Sequence, residues 1–91
     1  MNHGVPIDVV IFTRPGCHLC DKAESLLRSL DREFSIRLQL VNIDENPELV
    51  SRYGEKVPVV QIDGKESQFG CINPVLLRRA LRGAMLERKR E

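Results

Sequence analysis

Ninety-one residues make one domain and leave no length for a second. Hydrophobic residues are 42% and charged residues 30% of the chain, and the longest purely aliphatic or aromatic run is Val9 to Phe12. That composition excludes a disordered chain and a bundle of membrane spans, and a formal net charge of +1 gives no bulk pull toward nucleic acid or membrane.

The opening "MNHGVPID" has no basic start, apolar stretch and small-residue cleavage site in series. No secretory signal is expected there, and the cytoplasm is the expected compartment. "IDVVIFT", Ile7 to Thr13, is rich in β-branched residues and stops at "RPG", which predicts a buried strand. Leu19, Ala23, Leu26, Leu27 and Leu30 then share one helical face, predicting a helix of about three turns. "SIRLQLVNID" alternates Ile36, Leu38 and Leu40 against Arg37 and Gln39, a strand pattern, with Val41 and Ile43 apolar on the opposite phase. A strand, a helix and a strand in that order form a βαβ unit.

"NPELVSRYG" predicts a short helix with Asn46 as N-cap, Pro47 in the first position and Gly54 as a left-handed stop. In "VPVVQIDGKESQF", Asp63-Gly64 between two strand-like runs predicts a tight hairpin. Asn73-Pro74 repeats the cap and proline, and Leu77, Ala80, Leu81 and Ala84 follow on one face with Leu76 beside them. The tail "LERKRE", residues 86–91, lacks an apolar period and is expected to fray, leaving an ordered core at about 6–85. The predicted order is β-α-β-α-β-β-α, an α/β class, in a single domain spanning 1–91.

The chemistry lies in "TRPGCHLCDKAESLL", where Cys17 and Cys20 precede and open the first helix. With Cys71 as the third cysteine, the number is odd and small, unlike a secreted disulfide scaffold. A staple over so short a loop removes little entropy from the unfolded chain. A structural zinc site needs four ligands, and here the second pair is missing, with Cys71 alone and His3 near the N-terminus. Thiol–disulfide exchange is the better fit. Residues i and i+3 on a first helical turn lie on one side, so the sulfurs come within bonding reach.

At a helix start, backbone N–H groups without intrahelical partners favour a thiolate over a thiol. An ordinary cysteine has a pKa of about 8.5, and such sites commonly lower it to roughly 3.5–7.5. Cys17 is therefore expected to be the exposed nucleophile, and Cys20, one turn in, the buried resolving thiol. His18 between them would stabilise the thiolate as an imidazolium, or stand as a solvated residue of the first turn.

These residues, "VVIFTRPGCHLCDKAESLL" followed by "NIDENPELVSRYGEKVPVVQIDGK", resemble the glutaredoxins of the thioredoxin-fold superfamily. The likeness is to the short glutaredoxin-like proteins with a Cys-His-Leu-Cys-Asp motif, and it runs from about Asp8 to Leu81. It implies a four-stranded mixed sheet with helices on both faces. It implies that Pro58 is a cis proline beside the cysteine pair and that the backbone of Val57 pairs with the substrate chain; a trans proline entering an edge strand is the alternative.

It also implies that Arg14 holds the glutathione carboxylate, with a solvated loop cation as the alternative. Two departures count against glutathione. Leu19 replaces the family's aromatic residue, and the Gly-Gly-acid segment for the γ-glutamyl end appears as "FGCIN", with Gly70, Cys71 and Asn73. Losing an acidic partner for an ammonium removes a charge-assisted hydrogen bond of about 1.5–3 kcal/mol. Cys71 is expected near the active-site end, as a second redox thiol or a glutathionylation site, with a small buried apolar residue as the alternative.

The basic stretch Arg78, Arg79, Arg82 and "RKR" at 88–90 reads as a solvated helix face, with a dock for an acidic partner as the alternative. It has no interleaved aromatics for stacking nucleic acid. The expectation is a cytoplasmic, monomeric dithiol–disulfide oxidoreductase with no tightly bound cofactor and no metal. It would act on a disulfide in a protein or small molecule, with glutathione or a thioredoxin-reductase-type donor as reductant. Two other classes stay open: a glutathione-dependent iron–sulfur cluster carrier, and a redox-inert interaction module.

Overall fold

The elements follow the predicted order. They are β1 (Ile7–Thr13), α1 (His18–Phe34), β2 (Ile36–Asn42), a 3-10 turn (Ile43–Glu45), α2 (Pro47–Tyr53), β3 (Val59–Ile62), β4 (Lys65–Phe69) and α3 (Pro74–Lys89). The computed structural model describes residues 5–89, for Lys89 the backbone alone, so His3 and the last two residues of the tail lie outside the described residues. The strands form one mixed sheet in the order β2-β1-β3-β4, with β1 parallel to β2 and the other pairs antiparallel. A parallel pair needs a long crossover, and α1 supplies it.

Alternation along the strands divides the core. Ile7, Val9 and Ile11 of β1 and Val60 and Ile62 of β3 pack with Ala23, Leu27, Leu30 and Phe34 of α1 and Leu77 and Leu81 of α3. Phe12 and Val59, one position out of phase, turn to the other face. They meet Ile43 and Tyr53, with Leu49, Val50 and Val57 alongside. The apolar out-of-phase residue Ile43 thus marks the second face, as its position suggests. None of the described helices is long and apolar enough to cross a membrane.

Helix α1 is longer than the predicted three turns. Its buried residues are Cys20, Ala23, Leu27, Leu30 and Phe34, a 3-4-3-4 spacing that continues one turn past Leu30. Leu19 is one position off that stripe and is exposed, whereas Cys20 lies on it. The caps of α2 and α3 are those predicted: Asn46 accepts from the Glu48 amide, and Asn73 accepts from the Val75 and Leu76 amides. Asp63 and Gly64 both have positive φ, 51° and 83°, the type I′ hairpin geometry that Asp-Gly favours.

Gly54 is not the left-handed stop expected of it. Its φ and ψ are −45° and −43°, right-handed helical values. The absent side chain matters for space, since a Cβ would stand 2.6 Å from the Val50 carbonyl oxygen. Nor does the chain fray at Leu86, since α3 continues through Lys89. The reason is Arg88, whose Nη1 and Nη2 donate to Oδ2 and Oδ1 of Asp63 at 2.6 and 2.7 Å. Nη2 also donates to the Pro6 carbonyl at 3.1 Å. One guanidinium therefore ties the end of α3 to the hairpin and to the segment before β1.

The hydrogen bond from Arg88 holds the Asp63 carboxyl below its usual range. A carboxylate pKa lowered on folding stabilises the fold above the ordinary value of about 3.9, and that contribution is lost as pH falls through the lowered value. Arg88→Ala is expected to cost about 1 kcal/mol at pH 7, the fork–fork pair being discounted for its partial exposure. In urea unfolding, the gap to wild type should close at acid pH where Asp63 is protonated. An equal midpoint at pH 7 would contradict this.

Candidate redox-active site

Strand register gathers four segments at one end of the sheet. Thr13 pairs with Asn42, Phe12 with Val59, and Val59 with Phe69. The loop after β1, the turn after β2, the chain entering β3 and the chain leaving β4 therefore all lie at that end. These segments carry Arg14, Cys17, Asp44, Val57, Pro58, Gly70 and Cys71.

Gly16, at φ 75°, lets the loop after β1 reverse into α1. Cys17 then sits at the N-cap in extended conformation, φ −99° and ψ 106°, and its Sγ accepts a hydrogen bond from the Cys20 amide at 3.1 Å. A cap accepting through sulfur does what a serine or aspartate oxygen does elsewhere. The two sulfurs are joined in a disulfide, with Cα atoms 5.2 Å apart. Cys17 is half-buried and Cys20 only 3% exposed. The predicted asymmetry of burial is present: Cys17 is the more exposed residue of the pair. His18 opens the helix as an exposed residue and makes no side-chain hydrogen bond with a described residue.

The Val57–Pro58 peptide bond is cis. Among the described residues, neither the amide nor the carbonyl of Val57 has a hydrogen-bond partner, whereas the Pro58 carbonyl accepts from the Gly70 amide at 2.8 Å. Gly70 thus holds the turn after β4 against the proline. Cys71, next to it, is a free exposed thiol, so its expected place as a small buried apolar residue is corrected. It lies in the connection between β4 and α3, where no strand alternation or helical stripe turns it inward.

Arg14 is neither a solvated cation nor an unengaged one. Its Nε and Nη2 both reach Oδ1 of Asp44 at 2.8 Å, and its Nη1 donates to the Gly54 carbonyl at 2.9 Å. Asp44 is itself held in the 3-10 turn, where its amide donates to the Asn42 side chain at 2.9 Å. Sequence reasoning missed Asp44 and Gly54 as partners, because separations of thirty and forty residues leave no periodic signal. It also missed Gln68. The Gln68 side chain accepts from the Asn73 amide at 2.8 Å and donates to the Asn73 carbonyl at 3.1 Å, clamping the start of α3.

Apolar side chains surround this end of the sheet. Leu19, Phe69, Val75 and Leu76 are exposed large hydrophobics, Val75 at 66% and Phe69 at 58%. Lys56 places its ammonium over the Phe69 ring, 5.5 Å from the centroid. Among the described residues, no group of three or more His, Cys, Asp or Glu is placed to hold a metal ion. The arrangement has the parts for two-electron thiol chemistry: a capped sulfur reachable from outside, a buried partner bonded to it, and an unpaired stretch of backbone at the same end.

Comparison with known proteins gives the family and the fold. Residues 8–82 match the family described as Glutaredoxin-like domain (DUF836). The solution structure of protein Ne2328 from Nitrosomonas europaea superposes with a TM-score of 0.75 at 31% identity, over 88% of this chain and 98% of that one. An uncharacterized protein of Mycobacterium bovis is 29% identical over 75 residues, 77% of each chain. A mutant thioredoxin from Halobacterium salinarum, at 23% identity, superposes with a TM-score of 0.62 over 85% of this chain and 73% of that one. That last likeness places the architecture in the thioredoxin fold.

Proposed function

The chain belongs to the Glutaredoxin-like domain (DUF836) family, and from that premise we propose that it is a dithiol–disulfide oxidoreductase. The reduced Cys17 thiolate attacks one sulfur of a substrate disulfide. A bond forms between Cys17 and that sulfur, and the other substrate sulfur leaves as a thiolate and takes a proton from solvent. The Cys20 thiolate then attacks the Cys17 sulfur and expels the remaining substrate thiolate. Two electrons pass to the substrate, and the Cys17–Cys20 disulfide is left to be reduced by an external thiol or dithiol.

One observation carries this reading: Sγ of Cys17 caps α1 and accepts the Cys20 amide at 3.1 Å while Cys20 is buried. On reduction the same unpaired amides and helix end favour a Cys17 thiolate. The substrate is a disulfide in a protein or small molecule. The setting is a reducing compartment such as the cytoplasm, with the protein acting as a monomer. Glutathione or a reductase of the thioredoxin-reductase type is the reductant, and no bound cofactor is needed.

The test is turnover of a neutral small disulfide by wild-type protein, once with glutathione and once with a thioredoxin reductase as donor. Turnover with at least one donor, above the rate without protein, is expected. No turnover with either donor, by protein shown to be folded, would overturn the proposal.

A further inference from the structure

Arg14 stands three residues before Cys17, and its guanidinium reaches two other segments of the same sheet end. One is the turn after β2, through Asp44 at 2.8 Å. The other is the chain leaving α2, through the Gly54 carbonyl at 2.9 Å. Both anchors are themselves fixed. The Asp44 turn is pinned by Asn42 at 2.9 Å and by the fully buried Ile43 beside it. Gly54 continues the α2 hydrogen bonding by donating to Val50 at 2.8 Å, and it has no room for a side chain. Three residues after Gly54 come Val57 and the cis proline.

We propose that Arg14 is a positioning residue, bridging the loop that carries Cys17 to the segment that carries Val57 and Pro58. This rests on the reading of Cys17 as the redox nucleophile. The planar guanidinium spans two acceptors at once, which a single-point ammonium does not. Its charge is already matched by Asp44, so the side chain acts through the geometry it holds and not as an open seat for an anion of the substrate. Holding the glutathione carboxylate, the role that resemblance implies for Arg14, is a distinct role, and the variants below separate the two.

Removing Asp44 separates the two roles, because it breaks the bridge yet leaves the Arg14 charge bare. If the bridge matters, Arg14→Gln and Asp44→Asn act in the same direction; if the charge matters, they act in opposite directions. Two readouts serve: turnover of a neutral small disulfide, and alkylation of Cys17 in the reduced protein by iodoacetamide at pH 7, followed by peptide mass spectrometry. Both variants are expected to lower kcat about tenfold with KM within about twofold. Both should slow Cys17 alkylation, and the double variant should be no worse than either alone. Arg14→Lys, which keeps the charge but not the fork, should behave like Arg14→Gln.

Faster alkylation or wild-type turnover in Asp44→Asn would overturn the proposal, and so would full activity in Arg14→Lys. Circular dichroism confirms that each variant is folded, and Asp44→Asn alone decides if Arg14→Gln is not. Should wild type itself turn over no disulfide, the proposed function falls, while the direction of the alkylation changes still decides the role of Arg14.

Discussion

Cys17→Ser is expected to abolish turnover of a small disulfide, by roughly a thousandfold or more, the scale of losing a covalent nucleophile. The hydroxyl keeps the cap, since an oxygen at that position accepts the Cys20 amide as readily as sulfur does. The fold should therefore survive with its melting point within a few degrees, and the loss will belong to the chemistry. An alkoxide is not formed at neutral pH, whereas a helix-capping thiolate is.

Cys20→Ser is expected to fail differently. The first attack proceeds, because Cys17 is the more exposed residue of the pair, but the mixed disulfide has no internal thiol to resolve it. Turnover stops with the substrate held on Cys17. Loss in both variants identifies the dithiol route. Activity that survives in Cys20→Ser with glutathione alone would instead assign a monothiol reaction, in which an external thiol takes the resolving role.

Leu27→Ala should have the largest effect on stability. Leu27 is fully buried on α1 within the cluster formed by β1, β3 and α3. Truncating such a leucine costs about 2–5 kcal/mol, from lost burial and the cavity left behind. A domain of this size has only some 5–15 kcal/mol in total. At about 4–8 °C per kcal/mol, the melting point should fall by roughly 10 °C or more. The folded fraction at low temperature should keep wild-type kcat, because the cap at Cys17 lies at the helix end and does not involve Leu27. A loss of less than about 1 kcal/mol in urea unfolding would contradict the account of the core.

Local chemistry was readable from sequence wherever one short stretch decides the outcome. Asn46-Pro47 and Asn73-Pro74 cap helices, Asp63-Gly64 makes the hairpin, and the alternating strand residues sort into two faces. The cysteine pair at a helix start was readable for the same reason: cap, spacing and burial phase all sit within a few residues. The errors lie where distant segments decide. Gly54 reads locally as a left-handed stop, but it continues the helical hydrogen bonding to Val50, and its own carbonyl accepts from the Arg14 guanidinium forty residues away. The end of α3 reads as a loose charged tail until Asp63 and Pro6 are brought to Arg88. Leu19 and Cys20 differ by one position, and only the full length of α1 fixes which faces inward.

Arg14 combines both limits. The motif places a cation beside the nucleophile, and resemblance gives it a ligand. The fold adds Asp44 and Gly54, partners that the motif does not show. Cys71 shows the opposite case, in which a residue type that usually packs inward is left outside by the connection it occupies.

The most direct test is to trap the intermediate. Reduced Cys20→Ser protein is mixed with a peptide disulfide, and the adduct is located by mass spectrometry of proteolytic fragments. The account predicts one peptide per chain, bonded to Cys17. An adduct on Cys71 alone, or none at either position, would contradict it.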